Sequence, residues 1–418
     1  MSLPESAYGV WLHGRRVGTL HQRGDHTRFL LDEAYASDGN RPVLGLRFEQ
    51  NLEGRYAAAL RLPPWFSNLL PEGPLREWIA EDKGVSLDRE MELLSRVGHD
   101  LPGAVEIVPA DGSDDEYPEW VASGFSEEVP AGLISEPSSH WRFSLAGVAL
   151  KFSMLAKGDR LSLPAFGVGG DWIVKLPDNR YPNVPHNEYT MMAFARDLGM
   201  DVPDVRIVHR DELDDIPPNM WPNGEEWAYA VRRFDRDDNR RKIHIEDLAQ
   251  VRDIYPVAKY QGNYETIASL VYRRRDLESL QEFARRLAFS VLISNGDAHL
   301  KNWSLIYRDT RIPTLSPAYD LVSTSPYRTD ADGPEDLGLK FFGSKRFETI
   351  SLATFQRLER RLGATGAGLA EVVSHVAERA TLIWPQFETL LDINPKLRTL
   401  IGASIEKNAA TLLRMGQF

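Results

Sequence analysis

The side chains best suited to chemistry lie in Ser294-Asn295-Gly296-Asp297-Ala298-His299-Leu300-Lys301-Asn302, and in the aspartate of Ala318-Tyr319-Asp320-Leu321 eighteen positions beyond Asn302. Phosphoryl transfer needs an Asp that orients and deprotonates an attacking hydroxyl, and an Asn oxygen with a second Asp that hold Mg²⁺ on the phosphates. Asp297, Asn302 and Asp320 are those three types, and Asp-x4-Asn is the spacing of a protein-kinase catalytic loop. Asp, Asn and Gly also populate ordinary turns. The meaning of the loop therefore depends on what positions it.

Upstream, Leu280, Phe283, Ala284, Leu287, Ala288, Val291 and Leu292 recur at the spacing of a helix packed on a core. That helix is expected to stop near Ser294, and Asn295-Gly296, a turn dipeptide tolerant of positive φ, then sets Asp297 on a sharp loop. Downstream, Trp303 to Tyr307 reads as a strand, Arg308-Asp309-Thr310 as a turn and Ile312 to Leu315 as the returning strand. Such a hairpin brings Asn302 and Asp320 together at its open end.

The 418 residues suggest two to four domains, and a composition with 42% hydrophobic residues is that of a globular chain. The absence of cysteine excludes disulfides, thiolate metal sites and a cysteine nucleophile, and suits a reducing compartment. The start of the chain shows no apolar stretch after a basic one, and Leu287 to Ile293, the longest strongly apolar run, is far below the ~20 residues that span a bilayer. A cytoplasmic protein with no membrane segment is expected. A net charge of −12 argues against general nucleic-acid binding by the chain itself.

Along the chain, Tyr8 to Leu20 reads as a hairpin turning at His13-Gly14, with Val10 and Leu12 on one face. Leu75 to Glu81 and Asp88 to Val97 read as helices, the second capped by Ser86, while Pro63 to Leu70 is too proline-bound for a helix interior. Residues 1–110 form one α+β domain in this reading, and 111–141, opening with Asp111-Gly112-Ser113-Asp114-Asp115-Glu116, a linker or surface excursion.

A second β region follows at 142–234. Within it Lys175 is the only cation in the strand Trp172 to Leu176, either snorkelling to solvent or gripping the α/β-phosphates of ATP. Glu188, thirteen residues on, opens a helix carrying Met191, Met192, Phe194, Ala195 and Leu198, and is placed either to pair with Lys175 or to complement the helix dipole. Trp227 to Asp235 reads as a strand entering a hinge, where backbone groups around Arg232 and Phe234 would meet adenine. The basic run from Arg232 to Lys242 is interleaved with Asp235, Asp237 and Asp238 and reads as a self-compensating solvated turn. From 235 to 418 the chain reads as an α-helical lobe apart from the hairpin and a loop at Thr329 to Gly343. Its stripes are Leu352, Phe355, Leu358 and Leu362; Leu369, Val372, Val373 and Val376; and Leu397, Leu400, Ile401 and Ile405 after Asn394-Pro395. His299 is within reach of a substrate, and a structural hydrogen bond within the loop is the other reading.

With these residues in view the chain resembles the HipA family, bacterial serine/threonine kinases that act as toxins of toxin–antitoxin pairs. The resemblance spans nearly the whole length: Phe66 to Gly73, Gly98-His99-Asp100-Leu101-Pro102-Gly103-Ala104, Ser144-Leu145-Ala146-Gly147, Lys175-Leu176-Pro177, Arg233-Phe234-Asp235-Arg236, the 295–302 loop and Tyr319-Asp320. It implies an α+β, two-lobed protein-kinase-like fold with a β-rich N-terminal domain and an all-α C-terminal lobe. It also implies ATP and Mg²⁺ as cofactors, Asp297 as catalytic base, Asn302 and Asp320 on the metal, and Lys175 on the ATP phosphates. Ser144, Ala146 and Gly147 would lie in the loop over the phosphates, with Ser144 an autophosphorylation site whose added charge would displace that loop. The family's protein substrates are aminoacyl-tRNA synthetases and its usual partner is a small DNA-binding antitoxin, HipB-like with a helix-turn-helix, so that DNA is reached only indirectly. Ala149 and Leu150 depart from the Gln and Glu that members often carry there, and Pro177 to Asn187, the place of an activation segment, is short. Two other readings remain open at this point: a small-molecule kinase, and a non-catalytic co-repressor acting beside a DNA-binding antitoxin.

Overall fold

The computed structural model describes residues 5–98, 100–110, 151–158, 160–162, 169–214, 216 and 218–414. Ser144, Ala146, Gly147, Ala149 and Leu150 and the linker at 111–141 lie outside them. The chain divides into two compact units, Met1–Val174 with Asp235–Pro256 and Tyr307–Pro313, and Lys175–Phe234 with Val257–Ile306 and Thr314–Phe418.

In the first unit, strands Glu5–Leu12, Arg15–Arg23, His26–Leu31, Tyr56–Ala59 and Val105–Pro109 form an antiparallel sheet in which Glu5–Leu12 lies between Arg15–Arg23 and Val105–Pro109. The first turn falls at His13-Gly14, both with positive φ (52° and 73°), a geometry matched to the strand twist. Val10, Leu12, Val17, Leu20 and Phe29 are fully buried, and Phe29, Phe48, Trp65 and Phe66 pack ring against ring at 4.7 to 6.2 Å.

Pro64–Ser67 is a one-turn helix after all, because Pro64 occupies its first turn, where a missing N–H is not needed. The helix assigned to Asp88–Val97 runs Glu90–Val97 after Arg89; Ser86 Oγ instead accepts from Asp88 N within the preceding turn. Glu90 is drawn inside, accepting from Leu62 N at 2.9 Å and Ser67 Oγ at 3.0 Å.

The basic run is not simply solvated. Arg241 does pair with Asp237 on the surface at 2.7 Å, but Arg236 is buried. Its guanidinium donates to Gly103 O, Asp235 O and Asp100 Oδ1 at 2.7 to 3.0 Å, while Gly103 N donates to Asp235 Oδ2 at 2.8 Å. Gly103 has φ +76°, and a Cβ there would stand 2.8 Å from Ile245 N. Two short motifs far apart in sequence thus lock each other. His244–Asp247 is a strand within the stretch read as helical.

Glu246 is wholly buried in this unit, where Tyr307 OH and Leu46 N donate to Oε1 and Trp65 Nε1 donates to Oε2. Burial outweighs those donors and raises its carboxyl to about 7. Since the folded-state pKa lies above the unfolded one, the stability associated with this group is full below about pH 4.5 and is lost as pH rises through about 7, a change of roughly 3 kcal/mol. Glu246→Gln carries no titrating group, so the difference in urea-unfolding free energy between wild type and variant is expected to shift by about that amount between pH 4.5 and pH 8. A pH-independent difference would contradict the protonation argument.

The second unit contains helices Val184–Asp197, Tyr264–Tyr272, Leu277–Leu292, Leu352–Leu362, Leu369–Phe387 and Pro395–Leu412 and two short strand pairs, Val205–His209 with Trp227–Arg232 and Ser304–Tyr307 with Thr314–Leu315. All seven residues of the Leu280–Leu292 stripe are buried, and Asp276 caps that helix by accepting from Ser279 N. Asn394 caps the last helix by accepting from Leu397 N. Leu400, placed on its inner stripe by spacing, is 39% exposed, whereas Leu397, Ile401 and Ile405 are buried. No helix among the described residues is long and apolar enough to cross a membrane.

Candidate active site

The catalytic-loop candidate leaves the buried end of helix Leu277–Leu292 through Ser294, whose φ is +51°. The left-handed residue is therefore Ser294, not Asn295 or Gly296. Gly296 is required for a different reason: a Cβ would lie 2.5 Å from Glu335 Cδ and 2.6 Å from Asp336 O. Ser294 Oγ accepts from Asn408 Nδ2 at 2.9 Å, and the same amide donates to Val291 O at 2.8 Å, so the C-terminal helix grips the loop's root. Gly296→Ala is expected to displace the loop and destabilise the chain by about 1–3 kcal/mol, with activity falling more than stability alone explains. Unchanged urea-unfolding midpoints together with unchanged turnover would refute the close-approach argument.

Beyond Gly296 the loop is cross-braced from within. Asp297 N donates to Asn295 Oδ1 at 2.9 Å, His299 N to Asp297 O at 2.7 Å and Asn302 Nδ2 to Asp297 O at 2.8 Å. The Asp297 side chain is 46% exposed, and its Oδ1 accepts from Tyr260 OH. Asn302 spends its nitrogen on Asp297, and no described residue donates to its Oδ1.

The hairpin is shorter than its sequence suggests, pairing Leu305 with Leu315 and Ile306 with Thr314, because Pro313 has no N–H to extend the ladder. It still closes as needed. Tyr319 OH donates to Lys301 O at 2.8 Å, joining the neighbour of Asp320 to the neighbour of Asn302. Asp320 has φ +55°, a strained backbone held by its surroundings. Asn187 in helix Val184–Asp197 exchanges hydrogen bonds with the Ser323 backbone at 2.8 and 3.1 Å, and Ser323 Oγ donates to Ile293 O at 2.6 Å. Gly296 N in turn donates to Thr324 Oγ1 at 2.7 Å.

Lys175 is the centre of the charge arrangement. Its ammonium pairs with Glu188 Oε1 at 2.6 Å and with Asp320 Oδ1, and stands 5.7 Å from the centre of the Tyr229 ring. Burial opposes its charge, but the Asp320 and Glu188 carboxylates more than offset that and hold its pKa above the ordinary lysine value. Snorkelling to solvent is thereby excluded. Glu188 does not open its helix, which starts four residues earlier at Val184, so pairing with Lys175 rather than dipole complementation accounts for it. Tyr229 is fully buried, and burial raises its phenol well above the usual range.

The oxygens of Asn302 and Asp320 suit a hard divalent cation shared with phosphate oxygens, since Mg²⁺ is held by one or two protein oxygens plus the substrate. Among the described residues no group of three or more His, Cys, Asp or Glu could cage a metal alone. Phe234 lies with its ring 5.6 Å from that of Tyr319, beside Asp320, and Arg232 ends its strand with its N–H donated to Asp204 O. His299 is buried, 3.8 Å from Asp297 Oδ1, with its ring edge-on to Tyr260 at 5.0 Å. Tyr260, Asn187, Thr324 and Asn408 escaped the sequence reading. Each acts through a tertiary contact that no local spacing reports.

Profiles of two domain families match the chain: the HipA N-terminal domain over residues 8–108 and the HipA-like C-terminal domain over residues 143–384. Y4dM of Sinorhizobium fredii (strain NBRC 101917 / NGR234), named as a candidate kinase, is 42% identical over 414 residues, 96% of each chain. The serine/threonine-protein kinase toxin HipA of Shewanella oneidensis is 28% identical over 290 residues, 62% of each chain. The S. oneidensis HipA solved with HipB and its operator DNA has a similar fold, with a TM-score of 0.72 at 21% identity over 97% of both chains.

Proposed function

The chain belongs to the HipA family of kinases, with a mixed α/β, kinase-like two-lobed fold, and from that membership we propose an ATP- and Mg²⁺-dependent serine/threonine protein kinase, the toxin of a toxin–antitoxin pair. The observation that carries the reading is the Lys175 ammonium held between Glu188 and Asp320, as a kinase holds its phosphate-binding lysine.

In this reading residues 1–110 are an N-terminal domain, 142–234 the nucleotide-side lobe and 235–418 the helical lobe. Lys175 would hold the α/β-phosphates and backbone groups near Arg232 and Phe234 adenine, and by family resemblance residues 144–147 would cover the phosphates. Asn302 and Asp320 would hold Mg²⁺, which when bound would neutralise phosphate charge. Asp297 takes the proton of a Ser or Thr hydroxyl as the new O–P bond forms and the bond to the β-phosphate oxygen breaks, releasing ADP. Most of the acceleration then comes from positioning and fixed charge.

Autophosphorylation on Ser144 would silence the enzyme by moving the phosphate-covering loop. The partner that fits the family is a HipB-like DNA-binding antitoxin, as in the S. oneidensis complex, and the substrate a translation-related protein such as an aminoacyl-tRNA synthetase. The test is incubation of the purified chain with γ-labelled ATP and Mg²⁺, alone and with cell extract, followed by intact-mass and peptide mapping. Label on Ser144 or on an extract protein supports the reading. Label only on metabolites would replace it with a small-molecule kinase, and neither label nor prior phosphate on Ser144 would favour a co-repressor.

A further inference from the structure

Asp297 is a half-exposed carboxylate on a loop, and a carboxylate in that setting is free to rotate and present either oxygen. Here one oxygen is taken: Tyr260 OH donates to Oδ1, whereas no described residue donates to Oδ2. Tyr260 is itself aimed by its surroundings. Leu300 N donates to Lys259 O at 3.1 Å, Tyr264 OH donates to Ala298 O at 3.0 Å, and the Tyr260 ring stands edge-on against the buried His299 at 80°. The segment carrying the phenol is therefore tied to the catalytic loop on both sides of Tyr260. At 44% exposure the ring is not a core residue kept for burial.

We propose that Tyr260 is a positioning residue for the acceptor side of the reaction: its hydroxyl fixes Asp297 through Oδ1 so that Oδ2 is presented to the substrate hydroxyl. The proposal rests on the reading of Asp297 as the base. A phenol is suited to the task because its O–H donates one directional bond and remains neutral, so it orients the carboxylate without cancelling its charge.

The test compares Tyr260→Phe, Tyr260→Ala, Asp297→Asn and the Tyr260→Phe/Asp297→Asn double variant in the full chain. Phosphate release from Mg-ATP and label transfer to dephosphorylated casein are measured, together with Mg-ATP affinity by calorimetry. Tyr260→Phe keeps the ring and loses only the hydroxyl. It is expected to lower kcat on the order of tenfold to a hundredfold, to nearly the same level as Tyr260→Ala, while Mg-ATP affinity stays within about twofold. In the Asp297→Asn background the same substitution is expected to have no further effect, since the two residues act as a unit.

A Phe variant with wild-type kcat would show that only ring packing matters, and one with raised kcat that the hydroxyl obstructs the acceptor; either overturns the proposal. An equal fall in the Asp297→Asn background would make the role a general structural one and also overturn it. Full activity in Asp297→Asn would instead remove the assignment of the base, a failure separate from that of Tyr260.

Discussion

Asp297→Asn is expected to lower the rate of phosphoryl transfer by on the order of 10²- to 10⁴-fold, the range a lost general base produces, with Mg-ATP affinity and unfolding midpoint close to wild type. The substitution keeps the side-chain shape, and its oxygen can still accept from Tyr260. The loop's internal bonds run through the backbone of residue 297, to His299 N and Asn302 Nδ2, and through Asn295 Oδ1, so none depends on the carboxylate. What is lost is the negative charge and the ability to take a proton. Single-turnover transfer at saturating Mg-ATP isolates that step. A variant with wild-type single-turnover rates would show that the base lies elsewhere.

Lys175→Met is expected to damage both function and fold. The substitution removes the cation from between Glu188, which is almost fully buried, and Asp320, which is 32% exposed. Removing one partner of a buried ion pair costs about 3–5 kcal/mol, because the remaining charge is left in a poor solvent. Water screening of Asp320 puts the expected loss near the lower figure. Adding Glu188→Gln is expected to return most of that stability while transfer stays abolished, since the cation proposed to hold the phosphates is still missing. Urea unfolding of the three proteins measures the first part and label transfer the second. If the double variant were no more stable than Lys175→Met, uncompensated charge at Glu188 would not be the cause.

The local parts of the candidate site are legible in sequence. The helix before the loop announces itself because seven apolar residues keep one period and all are buried, and the Asp-x4-Asn spacing survives because the loop is braced by its own backbone. Glu188 was placed one turn too early in its helix because Pro185 hides the true start: proline in a first turn costs nothing, yet in sequence it reads as a break. The burial of Arg236 is not legible in sequence, because interleaved acids and bases look the same whether water or a folded loop surrounds them. Tyr260, 37 residues before Asp297, could not have been found from spacing, since only packing brings its hydroxyl to the carboxylate.

The hydrogen bonds from Asn408 to Val291 and Ser294 also set a timetable. The loop's root is completed by a residue 114 positions later in the chain, and ribosomes add roughly 5–20 residues per second. For on the order of ten seconds, a nascent copy has made Asp297 but not the clamp that holds the root of its loop. On the proposed reading the unfinished chain is expected to be inert, and a product truncated before the final helix to carry Lys175, Asp297, Asn302 and Asp320 without the clamp that steadies their loop.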